Sequence, residues 1–221
     1  MRKTAIIISG TLVLLISIFV GYRVVKYYSA NNYTISEDGN TIISKNGQQY
    51  VHDNSDLWLE AIATDKQIGK INDSGSVYSL KDQPNLDWIA VNITDEMAIT
   101  QIYHKKGVND FSIGNKNIKQ IRLIENKGLK QAIGTAVAST EEKDILEELS
   151  ESLSKSKIKQ QITSENIMSL QILFDAYKGI SYDINVLIDD DKKVYLSEGN
   201  EDNVVKAGPL VTNWILQKYS K

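Results

Sequence analysis

One stretch decides where this chain can sit before its fold is considered. Ile6–Val20 is almost unbroken apolar sequence, with Arg2 and Lys3 before it and Arg23 and Lys26 after it. A membrane-spanning helix needs about 20 residues. Thr4–Val25 supplies that length, with Ser9, Thr11 and Ser17 as interior hydroxyls and Arg23 as its one charge. The hydroxyls can bond to carbonyls of their own helix, and Arg23 can reach the headgroups. Tyr22, Tyr27 and Tyr28 fall where an interfacial aromatic belt would lie.

The rival reading is a cleaved secretory signal with an apolar region at Ala5–Val20. That run is long for a signal. Arg23 and Lys26 follow it where a cleavable signal is usually neutral, and Tyr28 precedes the small Ser29 and Ala30 at a position that should itself be small. The sequence therefore favours an uncleaved anchor over 1–28. The flanking positive charges are nearly balanced, so orientation rests on the signal-like position and on the lack of a second apolar span. The expectation is a single-pass protein of the cell membrane with its bulk on the extracytoplasmic side. Gly10, Ser17 and Gly21 share a helix face that would permit close helix packing, although small residues are common in membrane helices.

Beyond the anchor lies enough chain for one or two domains. All 28 acidic residues fall there, whereas four of the 25 basic ones flank the anchor, which leaves the outer part at about −7. That balance weighs against nucleic acid or anionic lipid as a partner. The absence of cysteine excludes a disulfide framework, a zinc–thiolate site, a cysteine nucleophile and a lipoprotein. A cysteine-free outer part rich in Lys, Asn, Ile and Ser points to a bacterium with a single membrane.

The expected fold class is α+β: an N-terminal transmembrane helix, then antiparallel sheet with about two helices on one face. Residues 33–105 read as a β-rich subdomain. Tyr33–Ser36, Thr41–Ser44, Gln48–His52, Gln67–Ile71, Val77–Leu80, Trp88–Ile93 and Ala98–His104 are its strands, and Leu57–Ala63 is strand or short helix. Asn46-Gly47 is a strong hairpin signal. Lys105–Asn117 reads as a boundary or long loop, and 118–221 as an α+β subdomain.

In that second part Ile118–Ile124 and Leu129–Val137 read as strands. Ser139-Thr140-Glu141-Glu142 matches a capping box ahead of a helix near 140–154, whose apolar stripe is Ile145, Leu146, Leu149 and Leu153. Lys155–Lys159 reads as a linker. Met168–Ala176, Tyr182–Ile188 and Val194–Ser197 alternate as a three-strand meander with one buried face, and Gly199–Asn203 is a loop. Pro209 opens a last helix over 209–219.

Chemistry-bearing patterns are sparse. Asp189-Asp190-Asp191 lacks the glycine and distal glutamate of a calcium loop and reads as a hairpin turn. His52 and His104, the only histidines, each stand alone at a predicted strand end, without metal-ligand spacing. No serine sits in a nucleophile-elbow pattern, and phosphate-binding glycine motifs are absent. Trp88 and Trp214 belong to core patterns. Trp58 is expected to be buried as well, but is the tryptophan to choose if one is exposed for binding. No residue is singled out as catalytic, cofactor-binding or metal-ligating, no cofactor is implied, and the lack of motifs weighs against an enzyme.

The segments NIKQIRLIEN, STEEKDILEELSESL, GPLVTNWILQ and QIGKINDSGSVYSLKDQPNLDWIAV, taken with the anchor, resemble small extracytoplasmic proteins of Gram-positive bacteria that carry no assigned function. The resemblance is one of pattern. It implies a place and a type of fold, and carries over no site residues. Three readings stand: a membrane-anchored module binding a protein or an envelope component, an envelope hydrolase without a recognisable motif, and a regulator or immunity protein against a secreted toxin.

Overall fold

The computed structural model describes residues 16–23, 33–55, 57–71, 75–92, 100–113, 117–125, 136–159, 162, 168–198 and 203–219. Helix α1 covers 16–23 within the expected anchor; the rest of Thr4–Val25 lies outside the described residues. Ile16, Ile18, Phe19, Val20 and Tyr22 of α1 are all exposed. Among the described residues no helix is long and apolar enough to cross a membrane.

The chain is α+β, with two β units. In the first, seven strands close a barrel. They are β1 (Tyr33–Ile35), β2 (Thr41–Ser44), β3 (Gln49–His52), β8 (Thr100–Lys105), β7 (Trp88–Asn92), β6 (Gly75–Leu80) and β5 (Thr64–Ile71), in that order around the wall. Neighbours pair antiparallel except at the seam, where Tyr33 meets Ile71 in parallel. Alternation sends Ile42, Tyr50, Val77, Ile89, Val91 and Tyr103 into the centre. Asn46-Gly47 makes the β2–β3 turn as expected, with Gly47 at φ +83°, a conformation that glycine adopts without the Cβ clash. Strand β5 begins at Thr64, three residues before the expected Gln67. Its first residues, Thr64-Asp65-Lys66, are exposed and polar, so no apolar alternation announces them.

Strand β4 (Leu59–Ala61) leaves the barrel path and joins the second sheet. That sheet runs β10 (Ala136–Thr140), β9 (Ile118–Glu125), β12 (Met168–Phe174), β13 (Ile180–Ile188), β14 (Val194–Ser197), β15 (Asn203–Lys206) and β11 (Ile158–Lys159). Every pairing in it is antiparallel. Long β13 takes β12 on one edge; on the other, β4 lies against Ile180–Tyr182 and β14 against Asn185–Ile188.

Helices α2 (Lys143–Leu153) and α3 (Pro209–Tyr219) cover one face of this sheet. Ile145, Leu146 and Leu149 of α2 and Val211, Trp214 and Ile215 of α3 join Leu123, Leu170, Ile172, Ile184 and Leu196 in one apolar cluster. Each fully buried side chain of this size contributes about 1.5–3 kcal/mol. Leu80, Trp88, Ala90 and Ile102 from the barrel belong to the same cluster, so the two β units share a core.

Three details correct the sequence reading. The capping box does not form. Ser139 is drawn into β10 opposite Arg122, the N-cap is Glu142 without a side-chain cap, and Thr140 Oγ1 instead accepts the Glu142 N–H at 3.1 Å. The meander does not have just one buried face, because Ser181 and Asp183 on the other side of β13 are buried too. The expected linker Lys155–Lys159 ends in strand β11, and Asn203, expected in a loop, begins β15. Most of the expected strand Leu129–Val137, and 199–202 of the expected loop, lie outside the described residues. Asp189–Lys192 is the plain hairpin turn it was read as, closed by Lys193 N–H donating to Asp189 O δ1 at 2.7 Å.

Candidate functional site

Helices cover one face of the second sheet, and the opposite face carries its polar groups. Strand register sets them out. In β12, Gln171 is opposite Asp183 on one side and Arg122 on the other. Across β13, Ser181 is opposite Glu60 of β4. One residue before β4, the Trp58 carbonyl accepts the Asp183 N–H at 2.8 Å, which continues the ladder and sets Trp58 beside Asp183. Because side chains alternate, Trp58, Asp183, Gln171 and Arg122 form one row on one face, with Glu60 and Ser181 in the next row. The neighbours Leu57, Leu59 and Ala61 point the other way, into the shared core.

Hydrogen bonds knit this face together. Gln171 N ε2 donates to Asp183 O δ2 at 3.1 Å and to Glu60 O ε2 at 3.3 Å. Ser181 Oγ donates to Asp183 O δ1 at 2.6 Å. Arg122 N ε donates to Gln120 O ε1 at 3.0 Å, and Gln120 N ε2 to Glu141 O ε1 at 2.8 Å. The Glu60 and Asp183 carboxyls therefore share one donor, the Gln171 amide nitrogen. Burial, and then the facing Asp183 charge, push Glu60 up to about 7. Burial also raises Asp183, to about 6, against the opposing support of the Ser181 and Gln171 hydrogen bonds. Two carboxylates this close cannot both ionise at little cost, so the pair holds a proton near neutrality.

Trp58 is 59% exposed, whereas Trp88 and Trp214 are buried as expected. The expectation of burial for Trp58 fails because β4 is an edge segment: its even-numbered side chains face away from the core that takes Leu57 and Leu59.

Two other places gather polar groups. At one end of the barrel a cavity of about 530 Å³ opens between Tyr33, Tyr50, Lys45 and Lys105. Burial, then the nearby Tyr50, pushes Tyr33 up to about 12, so it remains a protonated donor there. At the joint of barrel and second sheet, His104 is not alone. Its N ε2 lies 2.7 Å from Asp110 O δ1, and Asp53 is close to both. His52 stays apart from this group, its ring edge-on to Tyr103 at 5.2 Å.

The sequence could not mark the carboxyl pair, because Glu60 and Asp183 are brought together only by the β4–β13 pairing. The exposed indole had one available signal, its place after the polar Asp53–Asp56 segment. No protein-family model, curated protein or solved structure matches this chain.

Proposed function

We propose that this chain is a membrane-anchored extracytoplasmic binding module that takes a glycan of the cell envelope on the row Trp58, Asp183, Gln171 and Arg122. The observation that carries the reading is the exposed Trp58 indole in register beside a buried carboxyl. An indole face stacks on the C–H face of a sugar ring, while carboxyl, amide and guanidinium groups bond to its hydroxyls. The anchor part of the reading is supported by the apolar run of the sequence, whose described part, α1, leaves Ile16, Ile18, Phe19 and Val20 exposed.

The acid pair favours a second reading, an envelope hydrolase with Glu60 as a general acid held protonated near neutrality. Cross-linking the full chain in its native membrane, followed by wall digestion, separates the readings. Recovery of wall glycan with the wild type and its loss with Trp58→Ala supports the binding module. Recovery of a discrete protein instead overturns the glycan assignment, and release of cleaved wall fragments by the purified chain favours the hydrolase.

A further inference from the structure

Asp53, His104 and Asp110 come from three places, the residue after β3, the end of β8 and the loop that follows it. One potential ligand atom from each lies within 4.8 Å of the other two. His104 is 3% exposed and fixed by the Trp88 ring, 5.0 Å away between centroids. Asp53 is also buried, and it is preorganised: O δ2 accepts the Phe111 N–H at 2.6 Å and O δ1 the Ser55 N–H at 3.1 Å. The Ser55 hydroxyl donates to Oδ1 as well, and since a carboxylate has about four lone-pair directions, the one left over is on Oδ2. Asp110 is 55% exposed and opens the group to solvent.

The imidazole decides what the group is for. N δ1 of His104 faces the Lys105 carbonyl at 3.3 Å. A carbonyl only accepts, so the tautomer protonated at Nδ1 donates there and presents its Nε2 lone pair as a ligand, whereas the tautomer protonated at Nε2 donates to Asp110 Oδ1 at 2.7 Å. A hydrogen bond to Asp110 uses one carboxylate, and Asp53 brings an oxygen of a second within 4.8 Å of both. The contact from N δ1–H to a backbone carbonyl is also the usual outer contact of a metal-bound histidine.

We propose that Asp53, His104 and Asp110 bind a divalent transition-metal ion of the zinc or manganese class through N ε2 and two carboxylate oxygens. One imidazole with two carboxylates suits these ions. Zinc bonds of about 2.0–2.2 Å in a tetrahedral site require the donors to stand farther apart than His104 and Asp110 now do. Asp110, being exposed, is the ligand able to draw back. The ion would fasten the ends of β3 and β8 to the loop carrying Phe111. That ring packs on Phe174 and Tyr177 of the second unit at 5.7 and 4.3 Å. The proposal is independent of the Trp58 reading.

The test is calorimetric titration of the metal-stripped full chain in detergent with Zn²⁺ alone and with Mn²⁺ alone, beside a thermal melt. The expected result is one ion per chain and a raised melting temperature. Asp110→Ala should weaken binding by about tenfold or more, with the melt of the metal-free variant checking that its fold is kept, while His52→Gln leaves binding unchanged. Absence of binding by either ion would show a plain histidine–carboxylate hydrogen bond and overturn the proposal. So would binding that survives Asp110→Ala, or that disappears with His52→Gln.

Discussion

At the scale of single residues, Glu60 is the most informative side chain. Its carboxyl is pushed up by burial, then by Asp183. A group whose pKa in the fold exceeds its unfolded value of 4.5 stabilises the fold in its neutral form. That contribution is complete below the unfolded value and is lost as pH rises through about 7. The protein should therefore lose stability between pH 5 and pH 8 through this pair, opposite to the trend of a salt-bridged carboxylate. Glu60→Gln mimics the neutral form and removes the like charge from Asp183. In thermal melts at the two pH values the variant should show the smaller fall; an equal fall in both proteins would mean that no proton is shared. Little of this was legible in the sequence. Glu60 stands in a three-residue strand, too short for alternation to register, and its partner is far along the chain. His104 reads as an isolated histidine for a related reason: Asp110 reaches it only because the chain turns back after Lys105.

At the scale of elements, legibility followed the apolar period. β12 alternates strictly and is buried strictly at Met168, Leu170, Ile172 and Phe174. The stripe Ile145, Leu146, Leu149 placed α2 correctly, and these side chains are buried. Boundaries were less legible, because pairing with a neighbour can outbid a local motif. The start of α2 shows this. Ser139 has the spacing of a cap, but the β9–β10 ladder holds it in a strand, and Thr140 satisfies the helix end from one residue later. Thr140→Ala should then cost about 1 kcal/mol, the net worth of one lost hydrogen bond being about 0.5–1.5 kcal/mol. Ser139→Ala, at an exposed position, should stay within about 0.5 kcal/mol. Chemical denaturation of both variants measures the difference, and the reverse order would restore the capping box.

At the scale of the whole molecule, the barrel and the second sheet are joined in three ways. β4 crosses from one to the other, the apolar cluster runs through both, and Phe111 packs at the joint while its N–H binds Asp53. Unfolding should be one transition, seen alike by tryptophan fluorescence and by far-ultraviolet circular dichroism. Phe111→Ala should lower stability by about 3–5 kcal/mol without separating the two probes into distinct transitions. Two wild-type transitions would mean that the β units fold independently and that the joint holds neither. The same architecture leaves Trp58 exposed on the helix-free face, beside the buried Ser181 and Asp183. Helices take one side of the sheet, the barrel adds to that core, and the polar row with Trp58 is left on the other side.

The proposed ligand of this row is an envelope glycan. That assignment is tested most directly by titrating soluble wall-glycan fragments into the full chain in detergent, with wild type and Trp58→Ala compared by tryptophan fluorescence and calorimetry. The expected result is saturable binding by the wild type and a loss of about tenfold or more in the variant, as the removal of an aromatic anchor worth about 2 kcal/mol gives. The variant should keep the wild-type melting temperature, since the indole is exposed. Equal affinity in the two proteins, or no binding by either, would contradict the account.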